Sequence, residues 1–359
     1  MMRIICLIDS LGPGGAQRQI TGLARLLNQN DYDVQVVVYH DNRFYAHQLL
    51  ERNIPYICLP NAKNSLLRQW ELIRFLRTAR PMVVISYLES PSIRACIAKV
   101  FSHSFKLIVS ERNTTQRTGM KERLRFTLFN LADYIVPNSF SQADYIRESF
   151  PKLANKIVAI PNFVDIKQFY PKRNKPRREL PEIIVVATIW ASKNTLGLID
   201  AIPALIERGF IFHISWYGKD ETNIDYFNEA RQRIKELRLD SIIELKEKTT
   251  SIAEKYQNAD FFCLPSFYEG TPNVICEAMA CGLPILCSDV CDNSRYVKDG
   301  ENGFLFDPKM TESIENAFIK AFSLQDSEYH KFCIQSRATA EEMLSEDKFI
   351  SSYINLITK

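Results

Sequence analysis

Two carboxylates stand out in residues 266–290, SFYEGTPNVICEAMACGLPILCSDV: Glu269 and Glu277, with seven residues between them. Glu269 follows the apolar run FFCLPS in a loop shared with Gly270, Thr271 and Pro272. Glu277 falls about one turn inside a helix expected to start near Pro272 or Asn273, where proline is tolerated and an Asn or Thr can cap. The first amides of such a helix have no intrahelical acceptor and carry the positive end of its dipole. The N–H groups of Asn273 and Val274 therefore offer a seat for an anion. Charged groups inside the otherwise apolar stretch 274–279 need a partner or a task. The pair brackets a phosphate-sized site, with Glu277 able to accept hydrogen bonds from a ribose diol and Glu269 at the sugar end.

Three other loops hold residues of the same kind. In DSLGPGGAQRQ, Gly14 and Gly15 let the backbone approach a ligand just before a helix that carries Arg18. The stretch is not G-x-G-x-x-G and lacks an acidic residue at the ribose-binding offset, so it is equally a tight βα turn. In VATIWASKNTLGLIDAI, Lys193 lies between a strand and a helical pattern, either reaching toward a ligand or simply solvated. In KLIVSERNTTQRTGMKERLRFTLFN, Glu111 and Arg112 end a strand. The helix that follows places Leu124, Leu128 and Leu131 on one stripe, with Lys121, Arg123 and Arg125 around it. That pattern suits an anionic membrane surface, and equally an amphipathic helix with a solvated basic face.

The elements that must position these loops alternate in a regular way. Short apolar runs at 3–10, 34–40, 54–60, 82–87, 106–111, 133–139 and 156–162 read as strands, with helical patterns between most of them. After a basic, proline-containing stretch around Lys172 and Pro181, the alternation resumes at 182–190, 211–218, 241–247, 260–266, 284–290 and 303–308. Strands alternating with helices imply parallel pairing, hence two α/β halves with doubly wound sheets. The expected boundaries are 1–175 and 176–340, with helical sequence over 341–359 packing on the second half or crossing back to the first. Ligands of such sheets sit beyond the carboxyl ends of the strands, so two halves facing each other would enclose a cleft there.

Composition excludes several classes. At 359 residues, two domains are the better expectation. Hydrophobic content of 46% and charged content of 24% are ordinary for a globular protein, and a net charge of +3 does not call for nucleic acid. No run of about 18 apolar residues occurs, and the start MMRIICLIDS meets an aspartate too early for a signal peptide, so a cytoplasmic location is expected. The nine cysteines lie mostly in apolar runs without a CxxC pair, which reads as reduced, buried thiols rather than a zinc site or disulfide framework.

With these loops in place, the chain resembles the retaining glycosyltransferases of the GT-B fold, family 4, over nearly its whole length. The E-x7-E motif is matched by Glu269 and Glu277 in EGTPNVICE, followed by EAMACGLPIL and VKDGENGFLFDP. GGAQR at 14–18 is similar to the family's Gly-Gly-Ala-Glu-Arg, and IPNFVDIKQFYP to its Pro-Asn-Gly-Val-Asp segment.

The resemblance implies two Rossmann-like doubly wound domains facing a cleft, the first for the acceptor and the second for a nucleotide diphosphate sugar, most plausibly of UDP. It also implies Glu277 on the ribose, Glu269 on the donor sugar, and Lys193 with the amides after Thr271 on the diphosphate, with no metal or other cofactor. Asp31 and Asp33 in DYD sit in a polar turn and are not read as a metal site. Many relatives have glycine then arginine ahead of the lysine, where this chain has Ala187 and Thr188, so Arg18 or Arg112 is the candidate for the missing charge. Relatives often carry a histidine where this chain has Ser110, Glu111 and Arg112. SERN looks like the form in enzymes of bacterial surface polysaccharides such as O-antigen, capsule or lipopolysaccharide. A lipid-linked glycan acceptor at the inner face of the membrane, met as a peripheral protein, follows from that likeness. Rival readings are a nucleotide-sugar-binding protein without transfer, a GT-B-like epimerase and a phosphorylase.

Overall fold

The computed structural model describes every residue except 61–63, 103, 113–115, 117, 174 and 220–223. Asn113 of SERN and Arg117 and Asn174 of the two basic clusters lie outside the described residues. The chain divides into two compact units, Met1–Asn162 with Glu346–Lys359, and Phe163–Ser345.

The first unit runs β1 (Arg3–Leu7), α1 (Gly15–Gln29), β2 (Asp33–Val38), α2 (Ala46–Leu50), β3 (Tyr56–Cys58), α3 (Ser65–Ala79), β4 (Val83–Tyr87), α4 (Glu89–Phe101), β5 (Lys106–Glu111), α5 (Met120–Phe129), β6 (Tyr134–Pro137) and α6 (Phe140–Ser149). The second runs β7 (Glu182–Val186), α7 (Thr195–Glu207), β8 (His213–Lys219), α8 (Ile224–Glu236), β9 (Ile243–Glu247), α9 (Ile252–Asn258), β10 (Phe261–Leu264), α10 (Asn273–Ala280), β11 (Ile285–Ser288), α11 (Asn293–Tyr296), β12 (Gly303–Phe306), α12 (Thr311–Phe322) and α13 (Asp326–Leu344). The last helix, α14 (Glu346–Thr358), belongs to the first unit.

Both sheets are six-stranded, in the orders β3-β2-β1-β4-β5-β6 and β12-β11-β10-β7-β8-β9. These are the same doubly wound topology, and each reverses direction between its first and fourth strands, at β1/β4 and at β7/β10. Among the described residues the strand pairings are parallel, such as Ile4 with Val34 and Phe262 with Ile285. Helices cover both faces, so alternate strand residues enter opposite cores. In the second unit Ile183, Val185 and Trp216 join one apolar cluster, while Ile184, Phe262 and Leu264 join the other.

Two expectations change here. The run 156–162 is not a strand: Ile157 makes an isolated bridge to Ile135, the Val158 and Ile160 amides bond the Ile135 and Pro137 carbonyls, and Pro137 in β6 has no N–H to return the bond that would extend a ladder. The boundary between units falls after Asn162, not near residue 175. Val164 and Phe169 are buried in the core with Tyr256 and Met279, and the Val164 amide bonds the Leu344 carbonyl, which draws the segment into the second unit.

The turn after β7 is fixed by β8. The Ala187 amide bonds the Tyr217 carbonyl, the Ile189 amide bonds the Gly218 carbonyl, and the Trp216 indole donates to the Ala187 carbonyl at 2.7 Å. A Cβ on Gly218 would stand 1.8 Å from the Ala187 carbonyl oxygen. We expect Gly218→Ala to cost about 1–3 kcal/mol by overpacking, read as a lower urea midpoint. An unchanged midpoint would show that the turn relaxes freely.

The cysteines are free thiols, and most are buried. Burial pushes the Cys6 and Cys96 thiols up to about 12, which suits inert core residues.

Candidate active site

Lys193 and Glu269 meet at the reversal point of the second sheet. Lys193 ends a short 3-10 turn (Ala191–Lys193) in the connection after β7, and Glu269 lies in the loop after β10, the strand paired with β7. Their contact joins positions 76 apart in sequence: Lys193 Nζ lies 2.6 Å from Glu269 Oε1. The Phe267 amide bonds the Ser192 carbonyl and so pins one loop to the other. Behind the lysine, Asn194 adopts a positive φ of 54° and donates its amide to the Pro308 carbonyl at 2.7 Å, which turns the chain into α7. The pair is partly shielded, with side-chain exposures of 27% for Lys193 and 12% for Glu269.

Gly270, Thr271 and Pro272 lead into α10, whose first turn contains Asn273 and Val274. Proline occupies the N-cap position and no side chain caps the helix, contrary to the expected Asn or Thr cap. Proline's fixed φ sets the entry, and the Pro272 carbonyl accepts from Ile275 and Cys276. The amides of Asn273 and Val274 precede the first intrahelical bonds, which is the geometry of an anion seat. Glu277 is buried, and one carboxylate oxygen accepts from the Tyr256 hydroxyl at 3.2 Å. Thr188 stands in the turn held by β8, where Ala187 and Ile189 make its flanking bonds.

The sequence-predicted residues of the first unit make contacts within that unit. Glu111 is 2% exposed and faces the equally buried Arg125 at 3.6 Å, while Arg125 also contacts Glu89 at 3.1 Å. Glu111 thus anchors α5, since the buried guanidinium beside it compensates a charge that burial alone would not tolerate. Arg112 stacks on Tyr87, 3.9 Å from the ring centroid, and donates to Asn162 and to the Tyr353 hydroxyl. These contacts tie the end of β5 to α14. Gly14 and Gly15 begin α1, and the Arg18 amide bonds the Gly14 carbonyl in the first helical turn.

The expected stripe on α5 is corrected too. Phe126 and Phe129 face the core together with Arg125, while Leu124 and Leu131 are exposed. Asp33 pairs with Arg3 at 2.7 Å at the start of β2. Among the described residues no group of three or more His, Cys, Asp or Glu side chains is placed to hold a metal, and no helix is long and apolar enough to cross a membrane.

Residues 13–168 match the family described as Glycosyltransferase Family 4, and residues 180–323 match Glycosyl transferases group 1. The chain belongs to this glycosyltransferase family. Its two sheets and flanking helices have the GT-B architecture: a structure of Anabaena Alr3699/HepE in complex with UDP and glucose superposes with a TM-score of 0.85 over 100% of both chains at 18% identity. The amylovoran biosynthesis glycosyltransferase AmsD of Erwinia amylovora is 23% identical over 89% of this chain and 92% of its own. A second relative, 24% identical over 85% of this chain and 86% of its own, comes from Campylobacter jejuni. It is N-acetylgalactosamine-N,N'-diacetylbacillosaminyl-diphospho-undecaprenol 4-alpha-N-acetylgalactosaminyltransferase.

Two polar residues of this glycosyltransferase escaped sequence reasoning. The fully buried Ser266 donates to Glu269 Oε1 at 2.7 Å, and the fully buried Tyr256 donates to Glu277. Ser266 carried a signal in its S-x-x-E spacing to Glu269, the same interval that lets a serine and a glutamate meet at helix starts. Tyr256 carried none, since its ring reads as one more core aromatic in α9.

Proposed function

We propose that this glycosyltransferase moves a hexosyl or N-acetylhexosaminyl group from a UDP-sugar, with retention of configuration, to a hydroxyl of a lipid-linked bacterial surface glycan. The observation that carries the reading is the convergence of Lys193 and Glu269 at the sheet reversal, followed directly by the first turn of α10 and by Glu277. UDP is supported by the HepE structure, which holds UDP and glucose. A lipid-linked acceptor in polysaccharide biosynthesis is supported by the names of the Campylobacter and Erwinia relatives.

In this reading the diphosphate lies against Lys193 and the α10 amides, the ribose against Glu277 and the donor sugar against Glu269. The bond from the anomeric carbon to the phosphate oxygen breaks, and the acceptor oxygen bonds to the same face. Its proton passes to the departing phosphate. Charge grows on that phosphate in the transition state, and preorganised donors beside it lower the barrier without a metal.

A thermal-shift panel of UDP-, GDP- and ADP-sugars tests the donor, because a ligand of the native state raises apparent stability by mass action. UDP-sugars are expected to raise Tm, and a response confined to another nucleotide would overturn the choice. An undecaprenyl-diphosphate-linked sugar should then be required for UDP release. Release at the same rate without acceptor would favour hydrolysis or epimerisation over transfer.

The membrane-facing surface in this reading is the outer side of α5. Met120 and Leu124 are 88% and 63% exposed, beside the exposed Lys121 and Arg123. Apolar insertion flanked by cations is the pattern of a peripheral helix on anionic lipid. Neutralising Lys121 and Arg123 is expected to weaken binding to phosphatidylglycerol vesicles, read by co-sedimentation, roughly thirtyfold, at about 1 kcal/mol per charge. Unchanged binding would argue against contact through α5.

A further inference from the structure

Glu269 is held by one oxygen. Lys193 Nζ at 2.6 Å and Ser266 Oγ at 2.7 Å both converge on Oε1. Among the described residues no protein hydrogen bond is made to Oε2. The two donors differ in kind. Lys193 is a flexible cation, 27% exposed, that a diphosphate would compete for, whereas Ser266 is fully buried and cannot swing away. Its backbone is fixed as well: the Ser266 carbonyl accepts from Ser288 Oγ at 2.6 Å, and the Ser288 carbonyl accepts from Asn293 Nδ2 at 2.9 Å. Ser288 and Asn293 are fully buried, so a polar chain anchored in the ends of β10 and β11 leads up to the carboxylate.

We propose that Ser266 is a positioning residue that fixes Glu269 Oε1 from below, so that Oε2 is presented to the hydroxyls of the donor sugar even after Lys193 turns to the diphosphate. The inference rests on the reading of Glu269 as the sugar-facing carboxylate. A carboxylate with one oxygen tethered keeps its plane and needs less ordering when the sugar arrives, which is how a supporting hydrogen bond acts on a binding group. Without the serine, departure of Lys193 would leave the side chain free to rotate when it must be fixed. Ser266 therefore acts on the sugar part of the donor and not on the nucleotide.

The test compares affinity for UDP with affinity for UDP-glucose, UDP-galactose and UDP-N-acetylglucosamine by calorimetry, together with kcat and KM for the sugar nucleotide that binds best. Ser266→Ala is expected to bind UDP as the wild type does, to lose roughly tenfold of the extra affinity or turnover that the sugar confers, and to be partly restored in Ser266→Cys. Retained UDP affinity reports an intact fold; if the alanine variant fails to fold, Ser266→Cys, which keeps a small side chain and a weak donor, carries the comparison. A wild-type difference between UDP and UDP-sugar in the serine variants overturns the positioning role. If no sugar nucleotide differs from UDP in binding or turnover in the wild type, the assignment of Glu269 to the sugar fails first, and the inference falls with it.

Discussion

Glu269→Ala is expected to lower sugar transfer by about a hundredfold or more while leaving UDP binding intact. Two consequences of the geometry separate. The lost carboxylate would have contacted the sugar as charge develops at its anomeric carbon, so its removal acts on turnover. Lys193, released from its 2.6 Å contact, remains available to the diphosphate, so UDP affinity should hold or rise. The fold should tolerate the change at a cost of about 1–3 kcal/mol, since the Lys193 pair is partly exposed and the larger loss is the acceptor of the buried Ser266 hydroxyl. Tm should accordingly move by no more than a few degrees. Steady-state kinetics beside UDP calorimetry distinguish the cases: turnover near that of the wild type would remove Glu269 from the chemistry, and loss of UDP binding would make it part of the nucleotide site.

The second large effect concerns stability. Arg125→Met should destabilise the protein by about 3 kcal/mol or more, because it strips the cation from Glu111, which is 2% exposed. The hydrophobic replacement retains packing against Phe126, so the loss reports the missing guanidinium beside a buried carboxylate rather than a cavity. Lys121→Ala with Arg123→Ala, on the exposed side of the same helix, should stay within about 0.5 kcal/mol. Urea denaturation of both proteins checks the contrast, and a loss below 1 kcal/mol for Arg125→Met would deny the pair its structural role. The contrast also bears on membrane docking. Neutralising Arg125 along with its two neighbours would confuse an unfolded protein with one that has lost its lipid contacts.

Much of the architecture was legible in local pattern. Short apolar runs such as 82–87 and 284–290 became strands because a parallel strand buried on both faces is apolar throughout, and the helices between them made parallel pairing the consistent choice. The loop-to-helix segment around Glu269 and Glu277 was equally readable, since both carboxylates and the helix start lie within one continuous stretch. The run 156–162 misled for the converse reason. β-branched residues favour extended backbone, yet Pro137 in the neighbouring β6 has no N–H to return a bond, and an isolated bridge at Ile157 formed in place of a ladder.

The sequence by itself determined the alternation of elements, the family and the acidic motif at the head of α10, because each is written in neighbouring residues. Tertiary structure alone decided which charges meet. Lys121, Arg123 and Arg125 look alike along the chain, but Arg125 shares the face of Phe126 and Phe129 that turns inward and finds Glu111, whereas the others remain in water. Lys193 and Glu269 likewise become neighbours only because β10 is laid beside β7. Ion pairs and buried hydrogen bonds require contact within a few ångströms, and for residues far apart in sequence that distance is set by strand order and helix rotation.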